Sequence, residues 1–203
     1  MPRKTDKRVR LVDAAKALIH RQGFNLTTLA DIAQEADVPL GNVYYYFKTK
    51  EAIGEAVITN RGRELHEALQ VFEKAPNVKD RLLAYVQFEV DNAEETSKSG
   101  CPVGGLCQEL AKQGGPLADA AAKLLNDTML WTEKQFNGLG MGDASRGLAV
   151  QFVAAVQGNA LLTNTFKDPQ ILAQLKVSLG KWLDKVASTK SASAPIEKVE
   201  EFA

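Results

Sequence analysis

Two cysteines and two histidines in 203 residues leave little material for crosslinks or metal sites. Cys101 and Cys107 are too few for a disulfide scaffold, so the chain reads as a protein of a reducing cytoplasm. Together with His20 and His66 they form no zinc spacing, and no metal site is expected. Apolar runs fall far short of the ~20 residues that cross a bilayer, so no membrane contact is expected. The basic start, Arg3 to Arg10, is followed by mixed residues rather than an apolar core, which argues against a signal peptide. Phosphate loops are missing as well. The glycines from Gly100 to Gly105 precede no Lys-Ser/Thr pair, and Gly138, Gly140 and Gly142 follow no strand. No serine occupies a nucleophile elbow. An enzyme would have to use Cys101 or Cys107, whose immediate neighbours (Gly, Pro, Val, Leu, Gln, Glu) include no base to lower a thiol pKa. Catalytic residues and cofactors are therefore not expected. Nothing alternates with period two long enough for a strand, and no internal repeat is visible.

What is present is 45% apolar residues, enough to bury a core. The 25 basic and 25 acidic residues cancel, but unevenly along the chain. Residues 1–50 hold nine Lys/Arg against five Asp/Glu, and the remainder carries the opposite excess. The sign change suggests one module that faces a polyanion and another that does not, although a basic start also reads as a solvated tail. Helical periodicity dominates. Leu11, Ala15, Leu18 and Ile19 form one stripe, stopped at Gly23. Thr28 followed by Asp31 starts a helix over 29–36. Pro39 suits the first turn of another over 40–47. Thr49 caps a long helix, and Pro76-Asn77 is a turn. A helix through Leu82 to Ala93 ends in the stretch 97–100, and a short helix follows. Beyond the Gly114-Gly115-Pro116 break come helices over 117–136, 145–166 and 169–186. Helix 145–166 is apolar on more than one side, as a helix buried all round must be, either within one subunit or between two.

The segment from Thr27 to Lys50 carries the strongest signal. Two short helices are joined by a turn too brief for anything but an angled crossing. Ala33 is small where they approach, and Ile32, Val38 and Val43 supply the apolar contacts. This is a helix-turn-helix reading, whose second helix enters the major groove. Tyr44, Tyr45, Tyr46 and Phe47 cannot all face one core. An outward tyrosine offers a hydroxyl to phosphate and a ring to a sugar or a thymine methyl. Lys48 and Lys50 follow at once.

At these residues the chain resembles the DNA-binding domain of the TetR/AcrR family of transcriptional regulators. The matching positions are Gly23-Phe24, Thr27-Thr28, Ile32-Ala33, Val38, Gly41, Tyr44, Phe47 and Lys50-Glu51. Asp37 stands where the family most often has Gly, Pro39 where it has Ser or another cap, and Asn42 where it has Thr or Ser. The resemblance implies an all-α fold of about nine helices. Residues 1–50 would be the DNA-binding domain with a basic arm over 1–8. Residues 51–187 would bind ligand and dimerise, and 188–203 would be a disordered tail. It implies a cytoplasmic homodimer on a palindromic duplex operator, released by a small-molecule inducer. Phosphate contacts are expected from Thr28, Tyr44, Tyr46, Lys48 and Lys50, and base contacts from Leu40, Asn42 and Tyr45. The expected pocket lining is His66, Tyr85, Phe88, Cys101, Val103, Leu106, Met129, Trp131 and Phe152. With so few charges, an apolar or aromatic inducer fits best. Phe152, Val156, Leu175, Leu179 and Trp182 are expected at the dimer interface. The Gly100-Cys101 segment resembles a subgroup in which some members sense electrophiles or oxidants through such a cysteine and others bind apolar aromatic ligands, so a Cys101 sensor is the second reading. A small buried hydrophobe at a helix start is the third. Outside regulation, a helical interaction protein that binds no DNA is the alternative.

Overall fold

The computed structural model describes residues 4–192. Among them the chain is helical throughout, with ten α-helices, one 3-10 turn and no strand. α1 (Lys4–Gln22), α2 (Leu29–Glu35) and α3 (Leu40–Tyr46) form a small head. α4 (Lys50–Phe72) leads out of it into a larger body of α5 (Val78–Asp91), α6 (Ala93–Ser99), α7 (Gly104–Ala111), α8 (Pro116–Gly138), α9 (Ser145–Phe166) and α10 (Gln170–Ala192).

Local chemistry explains most boundaries. Gly23 leaves α1 with a φ of 86°, a region glycine enters without strain. Thr28 caps α2 in a reciprocal box, its hydroxyl accepting from the Asp31 amide while Asp31 accepts from the Thr28 amide. Thr49 and Asn77 cap α4 and α5 through their side chains. The stretch expected as one helix through Leu82 to the break at 97–100 is divided at Asn92, which separates α5 from α6. Pro39 is the cap residue of α3 rather than its first helical residue. The expected basic arm is helical from Lys4 onward, and residues 1–3 lie outside the described range. α10 continues to Ala192, so residues 188–192 extend the helix, and 193–203 lie outside the described residues.

Two cores result. The lower joins the inward faces of α1 to α4 with Leu106, Cys107, Leu110, Ala121 and Leu124, so α7 and α8 seat the head on the body. The upper gathers α5, α9, α10 and the upper ends of α4 and α8 around Phe136 and Phe152. No described helix is long and apolar enough to cross a membrane.

Candidate nucleic-acid interface and ligand cavity

α2 and α3 cross over the contacts expected from the sequence: Ile32, Ala33, Val38 and Val43 are all buried. The turn between them contains a device the sequence reading missed. Asp37 has a φ of 49°, in the left-handed region where glycine is at ease and most side chains are not. The Arg10 guanidinium holds this turn from α1, donating to the carbonyls of Ala36 and Asp37 and pairing with the Asp37 carboxylate at 3.3 Å.

α3 turns Val43 and Phe47 inward and Leu40, Tyr44 and Tyr45 outward, with Tyr45 64% exposed. Seven residues span roughly 10 Å, a fit for a major groove about 12 Å wide. Gly41 lies on this surface with open space where a side chain would be. Lys48 is exposed beside it. Three of the expected contacts carry a second duty. Tyr46 is half-buried against the lower core and packs edge-on to Tyr45. The Thr28 hydroxyl is engaged with Asp31, whose pKa these bonds hold below the usual carboxylate value. Lys50 donates to the Asn25 carbonyl at 2.8 Å and lies over the Phe24 ring, so its charge is anchored to the fold.

Above the head, a cavity of about 270 Å³ opens between α4, α5, α6, α8, α9 and the segment that precedes α7. Of the expected lining, Tyr85, Phe88, Cys101 and Val103 reach it. Five expected residues do not. His66 and Trp131 line a separate surface groove, where Trp131 donates to Glu73 at 3.1 Å and His66 meets Gln70. Phe152 is fully buried behind Tyr85, their ring centroids 6.0 Å apart, and Met129 packs on the same upper core. Leu106 belongs to the lower core. Nor is the cavity poor in charge. His20, Arg61, Glu64, Glu89 and Glu95 all line it, because α1, α4, α5 and α6 turn polar positions inward there. Isolated charged residues at helical spacing gave no sign of this, since the same pattern reads as a solvated face.

Cys101 sits where the cavity wall meets a more open groove of about 670 Å³. Burial and the nearby Glu89 charge push its thiol pKa up, and burial drives Cys107 to about 11. Cys107 is also tied to the Ala121 carbonyl. Neither is a ready thiolate. Among the described residues no cluster of His, Cys, Asp and Glu is arranged to hold a metal ion.

Head and cavity are joined by hydrogen bonds. The Glu109 carboxylate, on α7, accepts from the backbone amides of Phe24 and Asn25, each at 2.7 Å. His20, near the end of α1, meets the Gly100 carbonyl at 2.8 Å, next to Cys101.

Four of the five expected interface residues face inward. Phe152, Val156, Leu175 and Leu179 are buried in the subunit's own upper core, and Trp182 is half-buried against Phe136. The apolar positions left exposed on α9 are Val150, Leu161, Leu162 and Phe166, with small Ala154 and Gly158 between them.

A family model of bacterial regulatory proteins, tetR family, matches residues 11–57. The HTH-type transcriptional repressor NemR of Escherichia coli is 31% identical over 99 residues, 47% of this chain and 50% of that protein. The chain thus spans about half the length of that curated relative. A TetR transcriptional regulator from Legionella pneumophila has a solved structure similar at a TM-score of 0.78, with 20% identity over 89% of this chain and 97% of the other. The reduced form of E. coli NemR is similar at 0.73, with 22% identity over 85% and 94%.

Proposed function

We propose that this chain, whose residues 11–57 match the tetR family of bacterial regulatory proteins, is a homodimeric repressor of that family, released from a palindromic operator by a small inducer. The observation that carries the proposal is α3. It is a short helix with an apolar inner face, a tyrosine-rich outer face and a lysine at its end. Leu40, Asn42 and Tyr45 would read base edges; Tyr44 and Lys48 would hold phosphates, with Thr28, Tyr46 and Lys50 chiefly positioning them.

The dimer would form through the exposed α9 stripe. Val150, Ala154, Gly158 and Leu161 recur at three- and four-residue spacing, and the small residues let a second helix approach closely. This accounts for a helix apolar all round: one side packs the upper core, the other a partner. Operator binding would need two heads about one helical turn apart.

Inducer would act from the cavity. α4 runs from Lys50, bonded to the head, to Arg61, Leu65 and Phe72 in the cavity wall. α7 runs from beside Cys101 to Glu109, which grips the loop after α1. A molecule that moves either wall moves the heads, and it need favour the released state by only a few kcal/mol. Bound ligand is favoured over thiol chemistry as the input, because burial and the nearby Glu89 push the Cys101 thiol pKa up. Cys101→Ser should keep the response; its loss with operator affinity intact would reverse that choice.

The deciding experiment is selection and sequencing of DNA fragments bound by the purified protein. An enriched inverted repeat, bound with steep salt dependence, is expected. Binding without any enriched sequence would reject a sequence-specific repressor.

A further inference from the structure

The cavity read above as the inducer pocket contains a carboxyl that an apolar ligand leaves unexplained. Glu89 stands one turn after Tyr85 on α5, so both side chains share one face. The Tyr85 hydroxyl lies against the Glu89 carboxyl and the Gln157 amide, and Cys101 is near enough to feel its charge. The other acids of the cavity are accounted for. Glu64 is shared by Lys16 and by Arg61 at 3.3 Å, and Glu95 faces His20 at 3.9 Å. Among the described residues no cationic side chain pairs with Glu89, and only the Tyr85 hydroxyl offsets its burial, which raises its pKa to about 7.

A carboxyl partly withdrawn from water without a cation costs stability that a neutral side chain would not. The same wall is aromatic. Phe72 lies 6.0 Å from Tyr85 and 5.9 Å from Phe88, centroid to centroid, and all three rings line the cavity. A carboxylate beside aromatic faces is the chemistry that receives an organic cation. An acidic ligand would meet Glu89 directly and find Arg61 already engaged by Glu64. The volume lies just below the ~300–1,000 Å³ usual for drug-sized ligands, so the occupant is small.

We infer that the cavity takes a small lipophilic cation, an arylalkyl amine or ammonium, with its charged nitrogen between Glu89 and the rings of Phe72, Tyr85 and Phe88. This rests on the reading of the cavity as the inducer pocket. Cation binding favours the ionised carboxylate, so it should expel a proton from Glu89 near pH 7.

Calorimetry on the full-length protein with three probes of similar shape tests this: phenethylamine, 2-phenylethanol and 3-phenylpropionate. The amine should bind about tenfold more tightly than the alcohol, from the added charge interaction. Its apparent enthalpy at pH 7 should vary with the ionisation enthalpy of the buffer, the sign of proton release, which needs no variant. Glu89→Gln should abolish the preference for amine and leave alcohol binding within about threefold. Equal binding of amine and alcohol, without proton release, would overturn the cation and leave the pocket standing. Tighter binding of the phenylpropionate would also overturn it, in favour of an acid. Failure of all three to bind would overturn the inducer pocket itself.

Discussion

Single side chains in this protein carry loads that their type alone does not announce. Asp37 occupies a left-handed conformation under the Arg10 guanidinium. Asp37→Gly should therefore fold at least as stably, whereas Asp37→Val should cost about 1–2 kcal/mol in denaturant unfolding, because a β-branched residue resists that region. Glu89 predicts a pH dependence. Its folded pKa, about 7, lies above its ordinary 4.5. The folded state therefore holds this proton more tightly than the unfolded chain does. The group is harmless at low pH, and stability is lost as pH rises from about 4.5 through about 7. Glu89→Gln lacks that loss, so its stability relative to the parent should improve between pH 5 and 8; parallel curves would contradict the burial of Glu89. The two lysines beside α3 also differ. Lys48→Ala should reduce the salt slope of operator binding by about one unit without changing the melting temperature. Lys50→Ala should lower the melting temperature too, since it loses Asn25 and the Phe24 ring.

Among the helices, α7 matters more than its eight residues suggest. Its first turn donates to Cys101, which lines the cavity, and Glu109 near its end grips two amides of the loop entering α2. Charge-assisted bonds to backbone amides are the strong kind, and here they cross from body to head. Gly23 matches this closeness, since a Cβ there would sit 2.9 Å from a Glu109 oxygen. Glu109→Ala should cost about 1–3 kcal/mol of stability. In an operator titration with and without inducer, it should also shrink the ratio of the two affinities. An unchanged ratio would route the signal through α4 alone. α3 shows the opposite economy: Val43 is its one buried side chain, Phe47 is buried just past its end, and its outer face is exposed.

For the molecule as a whole, the division of apolar surface between the subunit's own core and its exposed faces is where the structure departs most from the sequence pattern. α9 carries both. Leu161→Glu, on the exposed face, should yield a folded monomer by light scattering that no longer binds operator. Val156→Glu should instead unfold the subunit, because a charge placed among Phe152, Leu175 and their neighbours has no counter-ion. If Leu161→Glu stays dimeric, the interface lies elsewhere than the α9 stripe.

The sequence by itself determined the all-helical class, most of the helix order and the packing set of the helix-turn-helix, though not the division at Asn92 or the Arg10 clasp on the turn. Those features rest on contacts within a turn or two of chain: apolar periodicity, the Thr28–Asp31 box, and Gly and Pro at the breaks. Ile32, Ala33, Val38 and Val43 were readable as a packing set because all lie within twelve residues. Tertiary structure alone decided what each side of a long helix faces. Phe152 and Leu161 look equivalent in a pattern of apolar residues, yet one is fully buried and the other 60% exposed. The cavity joins Glu89 of α5, Cys101 before α7 and Gln157 of α9, and the Glu109 grip on Phe24 spans 85 residues. Such groupings depend on how helices cross, and helix crossing is set by the summed packing of whole faces rather than by any local stretch of chain.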